Sequence, residues 1–565
     1  METVIENRKC KFCWAVFDIT DSDISFLKKL SPTIAWVKYE LPLPKQCPDC
    51  RLKRRMSFRN ERNLYRRNCD ASGKSIISMY SPDKEYKVFS QDEWWSDNWN
   101  PKDYAKEFDF SRSFFAQFDE LLKEVPRLAL SNTDTVNSEF NNYIIGAKDC
   151  FMSFRTFYWC EKILYSYWIL NDSKDCVDCS FVFSSQNLYE CIDVYRCNSC
   201  LYLQNCEDCT DCLYGFDLKW CQDCLLCYNL INKKYCILNK QYSKEDYNIK
   251  KNELLKDPDL LMKQKDEVLW KAIKRNLIIT NSENSSWDFL SWCKNCEHSF
   301  ATTNSEDCRY VIDGVNVKSS MDAIWIWFTE RAYEGITVSR SSQALFCDFV
   351  VDTQNLLYCD SCNTNSHDLF WCVWMRNASY CILNKQYTKE EYEMLVPKII
   401  DHMTKTEEWW EFFPMRISPF WYNETVAMEH FPTKNNESKD YKWSNYEAPM
   451  PKVEKIIPWS KLPNNIAEIP DDIVNWAIEC EITHKPFRII KQELEFYRTH
   501  NLPVPTIHPD QRHLVRMRKR NPRKLHKGTC SNCSKEIETT FENNSQNKVF
   551  CEDCYLVNRD SIINC

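Results

Sequence analysis

The cysteines of this chain form its clearest candidate chemical sites. Cys10-Lys-Phe-Cys13 and Cys47-Pro-Asp-Cys50 make one CxxC quartet, and Cys530-Ser-Asn-Cys533 with Cys551-Glu-Asp-Cys554 makes a second near the other end. Two CxxC pairs suit tetrahedral Zn²⁺, and four thiolates leave no coordination position for water. We therefore predict zinc as a structural cofactor, with these ligands: Cys10, Cys13, Cys47, Cys50, Cys530, Cys533, Cys551 and Cys554.

A stripe of basic residues follows a CxxC position in each terminal region. The stripes have matching, mostly helical spacing and consist of Arg51, Arg55, Arg59, Arg62 and Arg66, and of Arg512, Arg516, Arg520, Arg523 and Lys527. A ligand pair that opens a basic helix is typical of a treble-clef zinc finger. Two interpretations stay open: a phosphate-binding surface for nucleic acid, with RNA or a ribonucleoprotein favoured, or a face that is solvated or docked onto this protein's own acidic surface.

The two terminal regions are copies of each other. Residues 502–530 align without gaps with residues 41–69, although Pro522 predicts an early end to the second basic helix. The copies have lost different thiols. Cys480 remains from the first site of the C-terminal copy, where Thr483, His508 and Gln511 replace the other ligands, and Cys69 alone remains from the second site of the N-terminal copy.

Between these regions, cysteines recur at a fixed step of fifteen residues. The main series is Cys176, Cys191, Cys206, Cys221 and Cys236, and Asp178, Asp193, Asp208 and Asp223 keep the same step. A fixed short period predicts a β-solenoid, here with 15-residue coils. We favour packed thiols over a bound metal, an iron–sulfur cluster or disulfides, because ladder neighbours about 4.8 Å apart suit packing better than chelation.

The solenoid is duplicated. YCILNKQYSKEDY at 235–247 returns as YCILNKQYTKEEY at 380–392, and each copy carries a capping-box pattern that predicts a helix covering the last coil. The predicted division is an N-terminal zinc-ribbon module (1–90), an aromatic-rich helical linker (91–140), a first solenoid (141–242), a helical insertion (243–279), a second solenoid (280–387), a helix with irregular linker (388–470) and a C-terminal zinc-ribbon module (471–565).

The predicted fold class is therefore mixed and β-rich, a duplicated β-solenoid flanked by small treble-clef or zinc-ribbon α+β domains and helical insertions. The net charge of -8 argues against a uniformly basic nucleic-acid coat. No signal-type apolar region and no apolar run near 18 residues is present, so we expect a cytoplasmic protein without membrane contact. In that reducing compartment the 33 cysteines are expected to be thiols or metal thiolates.

With both ribbons, SPDKEYKVFSQDEWWSDNWNP, the cysteine repeats and SPFWYNETVA in view, the chain resembles a family of large cysteine-rich proteins from candidate phyla radiation bacteria. The resemblance implies zinc-ribbon modules at both ends and no established activity. The leading hypothesis is a zinc-binding, non-enzymatic solenoid scaffold whose terminal basic modules bind nucleic acid. The alternatives are a protein–protein interaction scaffold with purely structural zinc and, third, an enzyme or a thiol-based metal store.

Overall fold

The chain forms two compact units, and each unit is assembled from two separate stretches of sequence. The computed structural model describes residues 2–34, 36–435, 439–447, 452–542 and 547–563. One unit joins 1–130 with 277–446, and the other joins 131–276 with 447–565. Each unit contains one solenoid and one terminal region, so the N-terminal region belongs with the second solenoid. The predicted β-rich solenoid fold with small cysteine-rich terminal modules is confirmed.

The first solenoid is a stack of short parallel strands that begins at Asn132, ahead of the predicted start at 141. Its last strand turns back in an antiparallel hairpin, which closes the stack. The strands are Asn132–Val136, Asn142–Lys148, Phe154–Leu164, Tyr167–Leu170, Lys174–Val177, Ser180–Phe183, Gln186–Tyr189, Ile192–Tyr195, Asn198–Leu201, Gln204–Glu207, Gln222–Leu225, Lys234–Ile237 and Lys240–Gln241.

The second solenoid repeats this organisation within the other unit. It also consists of parallel strands and ends in an antiparallel hairpin. The strands are Ile279–Thr280, Trp287–Ser291, Lys294–Glu297, Ser299–Thr303, Glu306–Ile312, Lys318–Ile324, Glu330–Ser339, Ser342–Leu345, Asp348–Leu357, Asn363–Phe370, Ser379–Ile382 and Lys385–Gln386.

Most coils of both solenoids are twelve residues long and a few have thirteen, so the predicted length of fifteen is wrong. Cys176 pairs with Leu188 and Leu188 with Cys200, each a step of twelve. The fifteen-residue series arose because inward-facing positions recur every third residue, so any multiple of three connects buried cysteines. Successive members of that series therefore lie on different sides of the coil.

Every third residue of the solenoids has a positive φ, which produces a corner. Asp178, Asp193, Asp208 and Asp223 all occupy such corners, with φ between 50° and 54°. The left-handed conformation costs about 1 kcal/mol for a residue with a Cβ. Corner N–H groups donate to carbonyls of the preceding coil, as from Asp208 to Tyr195 at 2.9 Å. Stacked hydrogen bonds thus hold the corners with very little glycine.

The inward positions form a narrow core of small and aliphatic side chains. In the first solenoid most are cysteines with 0–1% exposure. Their thiols donate to backbone carbonyls, for example Cys191 Sγ to Cys200 O at 3.4 Å. In the second solenoid Ala323 and Val338 take equivalent core positions. The same architecture with fewer thiols supports the packing interpretation.

A helix follows the closing hairpin of each solenoid, as the capping boxes predict. Ser243 accepts a hydrogen bond from the Asp246 N–H at 3.1 Å, and Thr388 accepts one from Glu391 at 3.2 Å. The α-helices are Asp21–Leu30, Pro48–Met56, Gln91–Trp95, Phe114–Glu124, Lys244–Leu254, Pro258–Lys271, Lys389–Lys405, Val426–His430, Lys491–Thr499, Pro509–Lys519 and Glu552–Ile563. Across the described ranges, none of these helices has the length and apolarity needed to cross a bilayer.

The terminal regions contain short antiparallel hairpins and the helices that follow them. Pro48–Met56 is named here the N-terminal Arg helix and Pro509–Lys519 the C-terminal Arg helix. The remaining strands of the chain are Val4–Lys9, Val16–Thr20, Thr33–Ile34, Val37–Lys38, Tyr65–Asn68, Ser75–Ser78, Val88–Phe89, Arg127–Leu128, Ile273–Arg275, Ile456–Pro458, Ala477–Glu479, Pro486–Phe487, His526–Thr529, Glu536–Thr539 and Lys548–Phe550.

Candidate metal centres and arginine clamps

Both predicted cysteine quartets are assembled. The four Sγ atoms of each quartet lie within 4.8 Å of one another. The Cys13 and Cys47 sulfurs are 3.6 Å apart and those of Cys533 and Cys551 are 3.8 Å apart. Bonds of about 2.3 Å to a tetrahedral zinc put two sulfurs about 3.8 Å apart, so both quartets fit that ion.

Hydrogen bonds favour the thiolate form of one cysteine in each quartet. The Cys47 N–H donates to Cys10 Sγ, and the Cys551 N–H to Cys530 Sγ, each at 3.3 Å. A hydrogen bond from the Cys50 thiol lowers the pKa of Cys47 to about 5. Burial opposes ionisation of Cys530, but backbone N–H groups lower its pKa to about 6. The hydrogen bond between Cys50 and Cys47 raises the pKa of Cys50. Each quartet thus has one readily ionised thiol, and zinc binding would release protons from the others.

The same turn occurs at four places in the chain. In each case the cysteine N–H donates to the carbonyl five residues later at 2.8–3.0 Å, and the residue four positions later has a positive φ. The cysteine Sγ also accepts an N–H from the residue that precedes a helix. The four cysteines are Cys10, Cys69, Cys480 and Cys530.

Two of these four turns no longer carry a ligand set. The Ser90 N–H donates to Cys69 Sγ at 3.3 Å, and the His508 N–H donates to Cys480 Sγ at 3.2 Å. These residues occupy the places of Cys47 and Cys551, so Ser90 is a ligand position that the sequence comparison did not identify. Hydrogen bonding thus maintains the turn where thiols were lost.

The N-terminal Arg helix lies against the second solenoid in a buried ion-pair cluster. Arg51 and Arg55 both donate to Asp322, at 2.9 and 3.1 Å. Arg55 and Arg54 both donate to Glu334, at 2.6 and 2.9 Å. Asp322 and Glu334 are one coil apart, which matches the one-turn spacing of Arg51 and Arg55. We call this cluster the N-terminal clamp.

The C-terminal Arg helix forms an equivalent cluster with the first solenoid, the C-terminal clamp. Arg512 and Arg516 both donate to Asp178, the latter at 2.7 Å. Arg516 also lies 3.6 Å from Glu190, one coil beyond Asp178. Arg512 adds a bond to Glu493 at 3.2 Å. All of these arginine side chains are nearly inaccessible, with Arg516 at 0%.

The two clamps share their main contacts, although Arg54 corresponds to Val515 in the C-terminal Arg helix. The guanidinium of Arg59 lies 4.6 Å from the ring of Trp325, and that of Arg520 lies 3.4 Å from the ring of Phe181. The duplication relates these rings, as it relates Asp322 to Asp178 and Glu334 to Glu190 through a shift of 144 residues. The Arg helix, the solenoid and the contacts by which they dock were therefore duplicated together.

Six of the ten arginine and lysine residues in the two basic stripes lie at the clamps and are not accessible to a phosphate backbone. Arg51, Arg55, Arg59, Arg512, Arg516 and Arg520 are all buried, with exposures of 0–9%. The interpretation as a face docked on the protein's own acidic surface describes these six. Arg66 and Lys527 are exposed, and Arg62 and Arg523 are half-buried. Arg54 was missed, because it lies between stripe positions and pairs with Glu334.

The four aspartates at fifteen-residue steps do not form a carboxylate column. Asp178 and Asp193 bind clamp arginines, Asp193 with Arg520 at 2.9 Å. Asp208 pairs with Arg196 on another side of the coil at 2.8 Å. These four carboxylates therefore do not share one site.

The ladder thiols do not form a further metal centre among the residues described. Within those ranges, the two quartets are the groups of three or more candidate ligands close enough to share an ion. Every described cysteine is free of disulfide bonds. Burial raises the pKa of thiols such as Cys160, to about 12. Hydrogen bonds from neighbouring thiols lower the pKa of Cys197 to about 5, so the ladder thiols differ in acidity although all are buried in the core.

No protein-family model matches this chain, and no curated protein is significantly similar to it.

Proposed function

We propose that the protein is a non-enzymatic binding scaffold in which two structural zinc ions and two arginine clamps fix the terminal modules to the solenoids. The observation that carries this proposal is the duplicated clamp, which commits the most basic helices of the chain to internal contacts. Four thiolates per quartet leave no position for a reacting water. The metal and the arginines therefore serve the fold, and binding is left to the outer faces.

Exposed aromatic side chains on those faces favour protein partners. Trp159 and Trp220 on the first solenoid are 72% and 51% exposed, and Trp292 on the second is 64% exposed. Large aromatics are enriched where proteins bind one another and supply much of the binding energy there. A cytoplasmic location belongs to the same proposal, because reduced thiolates are required at both quartets.

Two measurements test the scaffold. Elemental analysis of the purified protein is expected to give about two zinc ions per chain. Affinity purification of the native protein is expected to recover the same protein partners with and without nuclease. A metal content far above two, or partners that all disappear after nuclease treatment, would contradict it.

A narrower nucleic-acid function rests on a separate observation. Arg518, Lys519, Lys524 and Lys527 are exposed at and beyond the end of the C-terminal Arg helix. Cations grouped in this way attract phosphates in a salt-dependent manner. If RNA binds there, Arg518→Glu with Lys524→Glu weakens binding at low salt, whereas Lys162→Glu on the solenoid does not. Equal affinity of all three proteins would refute this site.

A further inference from the structure

A long polar groove runs along the second solenoid. It has a volume of about 930 Å³ and is lined by two rows of side chains that recur from coil to coil. Asn316, Phe328 and Arg340 follow one another in one row, and Lys318 and Glu330 stand in the other. Successive coils lie about 4.8 Å apart, so a linear ligand meets a comparable set of groups at each step.

Both the lysine and the arginine of the groove walls are paired with carboxylates of the walls, and Glu330 adds a third carboxylate to the lining. Arg340 binds Asp352 through two bonds of 2.6 and 2.7 Å. Lys318 lies 3.6 Å from Glu306. A polyanion would have to compete with these carboxylates for both cations. The groove is therefore suited to a ligand without net charge.

The floor of the groove is also saturated. Ser341 and Thr353 are buried and hydrogen-bond each other at 3.0 Å. Hydrogen bonds to a ligand must come from the walls, where amide, carboxylate and guanidinium groups can donate and accept. Binding pockets for drug-like ligands are mostly apolar, so this polar lining favours a hydrophilic ligand.

One exposed aromatic ring interrupts the polar row. Phe328 is 56% exposed and projects from a corner with a φ of 52°. Asn304 and Asn316 occupy the equivalent corners of the two preceding coils, with φ values of 51° and 52°. Because asparagine tolerates this conformation better than phenylalanine, the fold does not require a ring there. The ring offers an apolar surface to a ligand within the groove.

We infer that this groove binds a linear, uncharged oligosaccharide. Its hydroxyl groups match the planar donors and acceptors of the walls, and the C–H face of one pyranose ring packs on Phe328. An extended peptide would seek an open strand edge for its backbone N–H and C=O groups, and the walls present side chains instead. This inference is independent of the protein partners proposed above.

The test is calorimetric titration of the full chain with linear hexasaccharides of β-1,4-glucose, β-1,4-xylose, β-1,4-mannose and β-1,3-glucose. Hexagalacturonate and an extended polar peptide serve as the charged and peptide arms. We expect saturable binding of at least one neutral hexasaccharide. Phe328→Asn is expected to weaken it about tenfold, the amount that corresponds to loss of one ring contact.

Trp220→Asn is the matched control. Trp220 is 51% exposed and occupies a corner with the same φ of 52° on the first solenoid. Gln354→Ala provides a second groove variant, and the melting temperature of each variant is checked. Absence of binding by every neutral hexasaccharide overturns the inference. So does binding that both groove variants leave unchanged, or tighter binding of the galacturonate or the peptide.

Discussion

Replacement of Asp322 by asparagine should strongly destabilise the unit that contains the second solenoid. Asp322 is 0% exposed and accepts hydrogen bonds from Arg51 and Arg55. The substitution leaves three buried guanidinium groups with Glu334 and with Glu411, which is partly exposed and lies 3.3 Å from Arg54. Breaking a buried ion pair by removing one partner costs about 3–5 kcal/mol. For a unit of this size we expect Tm to fall by about 6–10 °C.

Asp352→Asn on the same solenoid is the control. Asp352 binds Arg340 in equally good geometry, but both side chains are about half exposed, 41% and 57%. An exposed pair contributes about 1 kcal/mol or less. Thermal unfolding followed by circular dichroism, with hydrogen exchange of the N-terminal Arg helix, compares the two variants. If Asp322→Asn costs no more than Asp352→Asn, the clamp does not hold the unit together.

Three further predictions follow from the sites described. Removing zinc with a chelator should speed hydrogen exchange in the N-terminal Arg helix, because Cys50 lies in this helix directly before Arg51. Unchanged exchange would show that the clamp is stable without the metal. Cys209→Ala should cost about 1 kcal/mol and leave the zinc content unchanged, whereas Cys10→Ala should lose one zinc by elemental analysis. Burial, with Asp360 nearby, raises the pKa of Asp348. Stability contributed by its protonated form is present at low pH and is lost as pH rises through that raised pKa. Asp348→Asn should therefore melt above the wild type at pH 7, by a margin that shrinks toward pH 4. A lower Tm of the variant at pH 7 would refute a raised pKa for Asp348.

The metal quartets and the presence of a solenoid were predictable because their signals are local. A CxxC pair is a turn of fixed geometry, and a buried residue at every third position leaves a strong periodic pattern in the sequence. Coil length was not predictable from cysteine alone, since leucine at 188 and 203 occupies the same buried positions as cysteine. Both cysteine and leucine occupy the same buried position in successive coils, so the spacing of the cysteines alone does not give the coil length.

The clamps were not predictable from the basic stripes. A helical spacing of arginines looks the same whether the partner is phosphate, water or a buried carboxylate. The decisive information is the coil register, which brings Asp322 and Glu334 into one column although twelve residues separate them. A comparison of the two solenoid copies at a shift of 144 residues could have signalled it, because Asp178 and Glu190 are retained as Asp322 and Glu334.

Each twelve-residue coil has four sides of three residues. This geometry determines which insertions and deletions the solenoids tolerate. An insertion of three residues preserves every inward position and turns all later side chains by a quarter of a coil. A single inserted residue has to be absorbed locally, and two adjacent left-handed residues mark such places at Asn171 and Asp172 and at Thr364 and Asn365. An insertion of three residues would therefore move the later outward-facing side chains to a different side of the solenoid and leave the inward-facing side chains in the core.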